Sequence, residues 1–136
     1  MEPPRLPRGI RNNNPLNLRK TTTPWLGKVY PGTDSQFEQF TSMVYGIRAA
    51  MKNAKTIIKR NRGCTIRKLI EIWAPPIENH TDIYIYYVCH YTDFRSSDPV
   101  NPTNKEQFCK IIWAMAQVEN GMGLELQPFL DAYNML

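Results

Sequence analysis

Cysteine is scarce in this chain: Cys64, Cys89 and Cys109 are the three, and no two of them form a CxxC pair. That excludes a dense disulfide framework. Their apolar or helical neighbours predict reduced, mostly buried thiols. Histidine is scarcer still, with His80 and His90 ten positions apart and no HExxH pattern, so no metal site is expected. Neither histidine has an evident partner for a nucleophilic triad, and no G-x-S-x-G elbow or glycine-rich phosphate loop occurs. Serine-hydrolase and nucleotide-binding chemistry are thereby disfavoured, and no cofactor is expected. No stretch approaches the about 18 apolar residues of a membrane span. The opening MEPPRLPRG has no apolar run of the kind an export signal carries. The expectation is synthesis in the cytoplasm, with any target outside the cell reached through a virion or a holin.

What is present is enough for one core. At 136 residues the chain matches one ordinary domain, and 42% hydrophobic residues, somewhat below average, are supplemented by 11% aromatics. Lys and Arg number 17 against 12 acids, a net charge of +5. Such a surface suits nucleic acid, an acidic polysaccharide or a cell-wall polymer, and it also serves solubility alone.

Residues 1–24 read as a proline-punctuated arm, extended over 1–10, followed by an Asn-rich loop in RGIRNNNPLNLRK. Trp25–Tyr30 and Gln36–Phe40 carry aromatics on either side of the turn signal PGTD, which predicts a small β-hairpin. From Met43 to Arg60 the apolar residues fall on one helical face, with Thr41 or Ser42 as cap and Gly63 as stop. Ile66 to Trp73 form a second stripe, stopped by Pro75 and Pro76. Asn79 and Asp82 open a third helix bearing Ile83, Tyr87, Val88 and Tyr91. Thr103 and Glu106 suggest a capping box for a fourth, with Phe108, Ile111, Ile112, Met115 and Val118 on its face. A last short helix is expected near Leu126 to Tyr133. The predicted class is mainly α (α+β): one helical domain over residues 1–136 with a minor hairpin.

Two patterns carry candidate chemistry. Lys52, Lys55, Lys59, Arg60, Arg62, Arg67 and Lys68 form a basic stripe able to neutralise phosphates, though ordinary solvated helix faces look the same. The sharper pattern is IIWAMAQVENG, an apolar helix ending in Glu119. A carboxyl at the end of a buried helix can be held protonated for glycan cleavage. Glu119 also reads as a polar last-turn residue before a glycine stop. Glutamate is nevertheless not what the helix dipole favours at a C-terminus. Glu78 competes for the acid role, but its place before a helix is explained by the N-terminal dipole.

In RGIRNNNPLNLR, FEQFTSMVYGIRAA and IWAPPIENHTDIYI the chain resembles a family of small phage and prophage proteins, described as virion structural or lysozyme-like. The family pattern NNNPGN has glycine where Leu16 stands here, at a place where positive φ would suit glycine better. The order Asn13, Asn14 and Leu18, then Trp25 and Gly27, then Phe37, Phe40 and Ser42 is also similar to bacterial β-N-acetylglucosaminidases and lytic transglycosylases of lysozyme-like fold. In those a glutamate helix precedes the asparagines, whereas here AMAQVENG stands at the other end of the chain. The resemblance therefore implies a circular permutation, with Glu119 facing a groove bordered by the Asn loop and the hairpin.

That resemblance implies a peptidoglycan-cleaving glycosidase or lytic transglycosylase, with Glu119 as general acid and Asp34 or Glu38 as second carboxylate. In a transglycosylase the substrate's own groups replace that carboxylate. Asn12, Asn13, Asn14, Asn17, Trp25, Tyr84 and Tyr91 would contact the glycan strands, or the asparagines would satisfy backbone groups in a tight turn. Trp73 offers a ring too, although a tryptophan on a helix stripe is more often core. Two other readings remain: a non-cleaving virion or wall-binding protein with other virion proteins as partners, and a nucleic-acid-binding protein.

Overall fold

The computed structural model describes residues 5–77 and 79–136. Among these, six helices follow in order: α1 (Arg8–Arg11), α2 (Met43–Arg60), α3 (Ile66–Trp73), α4 (Thr81–Thr92), α5 (Lys105–Asn120) and α6 (Gln127–Tyr133). The first four residues of the expected extended arm, and Glu78, lie outside the described residues. Over 8–11 the arm is not extended but forms the single turn of α1.

α5 is the centre. Phe108, Cys109, Ile111, Ile112, Ala114, Met115 and Ala116 are buried, so it is covered around most of its circumference. α4 and α6 flank it, α1 packs near its end, α2 lies on α6 and α3, and α3 on α4. The bounds of α2 and α3 match the expected ones, because one-sided apolar periodicity and the prolines after Ala74 leave little freedom. The caps differ in detail. α2 ends at Asn61, before Gly63. α5 is capped by Asn104, whose side chain accepts from the Gln107 N–H, while Thr103 donates its hydroxyl to Asn101.

α4 is turned relative to the face expected of it. Thr81, Tyr84, Ile85, Val88 and Thr92 are buried, and Ile83, Tyr87 and Tyr91 are exposed. The sequence is apolar on both sides of this helix, so periodicity could not choose. Polar tips chose instead: Thr81 Oγ1 donates to the Ala74 carbonyl at 2.6 Å and Tyr84 Oη to Glu119 Oε2 at 3.0 Å.

The expected β-hairpin is not seen as a ladder among the described residues: its two arms meet in one antiparallel bridge, Lys28 with Phe40. Isolated bridges pair Phe37 with Arg19 and Phe40 with Lys28, so the 36–40 segment changes partner half-way. Its backbone is satisfied on both sides, by Lys20 N–H to Gln36 O and Val29 N–H to Gln39 O, yet no ladder grows. The 31–35 connection is a wide loop closed by a side chain, Gln39 Oε1 accepting from the Thr33 and Asp34 N–H groups, rather than a tight turn.

Leu16, where glycine was expected, is 1% exposed and belongs to the core. The loop takes its positive φ values at Asn13 and Asn17 instead, both +52°. Asparagine tolerates that conformation better than most residues with a Cβ. A close approach elsewhere does require glycine: a Cβ on Gly46 of α2 would drive into the Asn13 backbone carbonyl. Gly46→Ala should therefore destabilise the fold by roughly 2–3 kcal/mol. Differential scanning calorimetry checks this, and an unchanged Tm would show that α2 and the Asn loop are not in contact.

Candidate active site

Four asparagines stand in the loop after α1: Asn13 and Asn14 hold backbone, and Asn12 holds the Asp34 side chain. Asn14 is fully buried: its Nδ2 donates to the Leu18 and Glu38 carbonyls at 3.0 Å, and its Oδ1 accepts from the Leu18 N–H at 2.9 Å. Asn13 Nδ2 donates to the Phe40 carbonyl, and Asn12 Nδ2 to Asp34 Oδ2, both at 3.0 Å. These amides do the structural half of what the sequence left open. The fourth faces the other way, with Asn17 Nδ2 donating to Glu119 Oε1 at 3.3 Å.

Glu119 occupies the last turn of α5, where Gly121 with φ +62° caps the helix. The next residue fixes that turn to the loop: Asn120 Nδ2 donates to the carbonyls of Pro15 and Ala116, each at 2.8 Å. Gly9 allows the approach, since a Cβ there would come within 2.5 Å of Asn120 Oδ1. The Glu119 carboxyl faces a cavity of about 560 Å³ whose walls include Leu16 and Asn17 of the loop, Arg19, Phe37, Trp73, His80 and Tyr84. That volume suits a small-molecule or oligosaccharide segment.

The carboxyl is held at both oxygens. Oε2 accepts from Trp73 Nε1 at 3.2 Å and from Tyr84 Oη at 3.0 Å, and Oε1 from Asn17. Burial pushes its pKa from the ordinary 4.5 up to about 7, against the opposing pull of Tyr84, Asn17 and Trp73. Burial also raises the Tyr84 hydroxyl well above its ordinary range, and the neighbouring carboxylate adds to that, so Tyr84 remains a donor. Two donors crowd Oε2, whereas Oε1 has one longer contact. A proton on the carboxyl is therefore best placed on Oε1.

The other expected carboxylates lie elsewhere. Asp34 caps its own turn, Oδ1 accepting from the Gln36 and Phe37 N–H groups at 2.9 and 3.0 Å. The Gln36 N–H, Asn12 and the Phe37 N–H, with Arg8 further off, lower its pKa to about 2. Glu38 is 1% exposed and paired with Lys28 Nζ at 3.1 Å. Neither lines the cavity, and among the described residues Glu119 is the only carboxylate that does. Trp25 packs against the core, and Tyr91 is exposed at an edge of Trp113. Both stand away from the cavity walls, as do all the residues of the basic stripe on α2 and α3. Among the described residues no group of three metal-ligating side chains occurs and no helix is long and apolar enough to cross a membrane.

Sequence reasoning missed Arg8, Arg19, Phe37 and His80 as cavity residues, and undervalued Trp73. The arginines frame the Asn loop, and that flanking position was the available signal.

No family model matches the chain. It is 35% identical to Protein P5 of Pseudoalteromonas phage PM2 over 117 residues, covering 84% of this chain and 71% of that protein. The chain belongs to the Protein P5 family. Its expected kinship with phage proteins is thereby established. The shared region spans most of the chain, so this kinship concerns the helical core as a whole and not one short motif.

The raised pKa of Glu119 has a thermodynamic consequence for this member of the family. A carboxyl whose folded pKa exceeds its unfolded one binds its proton more tightly when folded, so stability falls as pH rises from about 4.5 to about 7. The loss should be roughly 2–3 kcal/mol. Asp34, with the opposite shift, adds its stability by about pH 4 and does not mask this window. Urea unfolding at pH 5 and pH 7.5 checks the prediction, and Glu119→Gln should flatten the profile. A wild type equally stable at both pH values would contradict the burial of this carboxyl.

Proposed function

We propose that this protein is a phage-type, lysozyme-like enzyme that cleaves the glycan strands of peptidoglycan, with Glu119 as general acid. The observation that carries the reading is one carboxyl in a cavity, held by Asn17, Trp73 and Tyr84, with burial pushing its pKa up to about 7. A general acid is most effective when its pKa lies near the working pH. Protonated Glu119 Oε1 gives its proton to the glycosidic oxygen as the bond to the anomeric carbon breaks.

Asp34 and Glu38 are committed to the turn and to Lys28, so neither serves as the second carboxylate in this scheme. The positive anomeric carbon is captured by a group of the substrate itself. If that group is a sugar hydroxyl, its proton passes to the Glu119 carboxylate and restores the acid. This is transglycosylase chemistry, and it accounts for a single acid in the cavity.

A second reading is a non-cleaving wall-binding or virion protein. The exposed row of Ile83, Tyr86, Tyr87 and Tyr91 on α4 favours it, because such a face suits a partner.

Turbidity of purified peptidoglycan separates the two. Wild type should clear it, Glu119→Gln should lose on the order of 10²-fold or more in rate, and Asp34→Asn should retain activity where it is folded. The rate should fall as pH rises through about 7. Clearing by Glu119→Gln would move the acid elsewhere, and clearing by neither protein would favour the binding role. Products made in ¹⁸O-water should carry no label if the substrate supplies the nucleophile.

A further inference from the structure

Besides Trp73 and Tyr84, the cavity has basic lining. Arg8 and Arg19 both line it, and both guanidiniums lie against one ring, 4.8 and 5.1 Å from the Phe37 centroid. The ring restrains two side chains that would otherwise roam in solvent. Arg8 is steadied further by Asp34 Oδ2, 3.8 Å from its Nε, beyond hydrogen-bond length. Among the described residues the Arg19 guanidinium has no hydrogen bond or ion pair. Phe37 itself is placed by the bridge between its backbone and that of Arg19 and by the turn that Asp34 caps.

Asp34 offsets part of the Arg8 charge, whereas the Arg19 charge on the same ring has no ion-pair partner among the described residues, so the cavity wall keeps a net positive potential. Guanidinium donors are suited to planar or tetrahedral oxyanions. We infer that Arg8 and Arg19 form a subsite for an oxyanion carried by the wall polymer, a carboxylate on the glycan or a phosphate of an attached chain. This rests on the glycan reading of the cavity and adds specificity to it: neutral glycan would be a poorer ligand than its anionic counterpart.

The test uses Glu119→Gln, which holds glycan without cleaving it, and three probes. These are glycan strands freed of stem peptides and bearing lactyl carboxylates, the same strands with those carboxylates methyl-esterified, and esterified strands carrying a phosphodiester polymer. Affinities are measured by calorimetry. The carboxylate strands should bind at least about tenfold more tightly than the esterified ones. Adding Arg19→Gln should abolish that preference, lowering the affinity of the carboxylate strand far more than that of the esterified one, and Arg19→Lys should restore part of it. Arg8→Gln serves as the second variant, with Tm confirming that both fold. A preference for the phosphodiester strands alone supports the subsite and assigns it to phosphate. Equal binding of all three overturns the subsite while the glycan reading stands. Binding of none overturns both.

Discussion

A carboxyl taken out of water must find donors or stay protonated, and the arrangement around Glu119 does both at once. Asn17, Trp73 and Tyr84 each give it a hydrogen bond, and burial still outweighs them. A hydrogen bond to a charged group contributes about 1.5–3 kcal/mol, so removing the donors would leave the buried acid more strongly neutral. Their effect is to keep its pKa within reach of neutral pH rather than far above it. The three come from the Asn loop, the end of α3 and the buried face of α4, so the acid exists only when the whole helical framework has closed.

The closure depends on the loop after α1. Asn14 satisfies three backbone groups from one fully buried amide, and Asn13 and Asn12 tie the loop to Phe40 and Asp34. With the loop thus stiffened, the Pro15 carbonyl meets Asn120 and the Asn17 amide meets Glu119. Leu16 then enters the core between them. The amides at 12, 13 and 14 are therefore structural, and only Asn17 is directed at the cavity. The basic pair Arg8 and Arg19 brackets the same loop, which joins the acid and the charged wall in one piece of architecture.

Much of the helical framework was legible in the sequence, because α2 and α3 each bury one periodic face and α3 ends just before two prolines. The α4 face was not, since apolar residues surround it and the deciding contacts were the hydroxyls of Thr81 and Tyr84. The hairpin is reduced to a single bridge for a related reason: Phe37 and Phe40 supply strand-like residues, but the segment divides its backbone between Leu18–Lys20 and Gly27–Val29. Glu119 was legible as the anomalous acid at a helix C-terminus. Its donors were not all so, because a contact between positions 17 and 119, or 73 and 119, leaves no local pattern. Asp34 and Glu38 looked suitable by type, and only their hydrogen bonds show that they are already occupied.

The account turns on whether Glu119 is a neutral acid near physiological pH. A ¹³C-detected titration of the side-chain carboxyls, with Glu119 assigned by comparison with Glu119→Gln, measures this directly. One carboxyl titrating near 7, and absent from the variant, is the predicted result. A Glu119 that titrates near its ordinary 4.5 would be ionised in the cavity at neutral pH and would contradict the account.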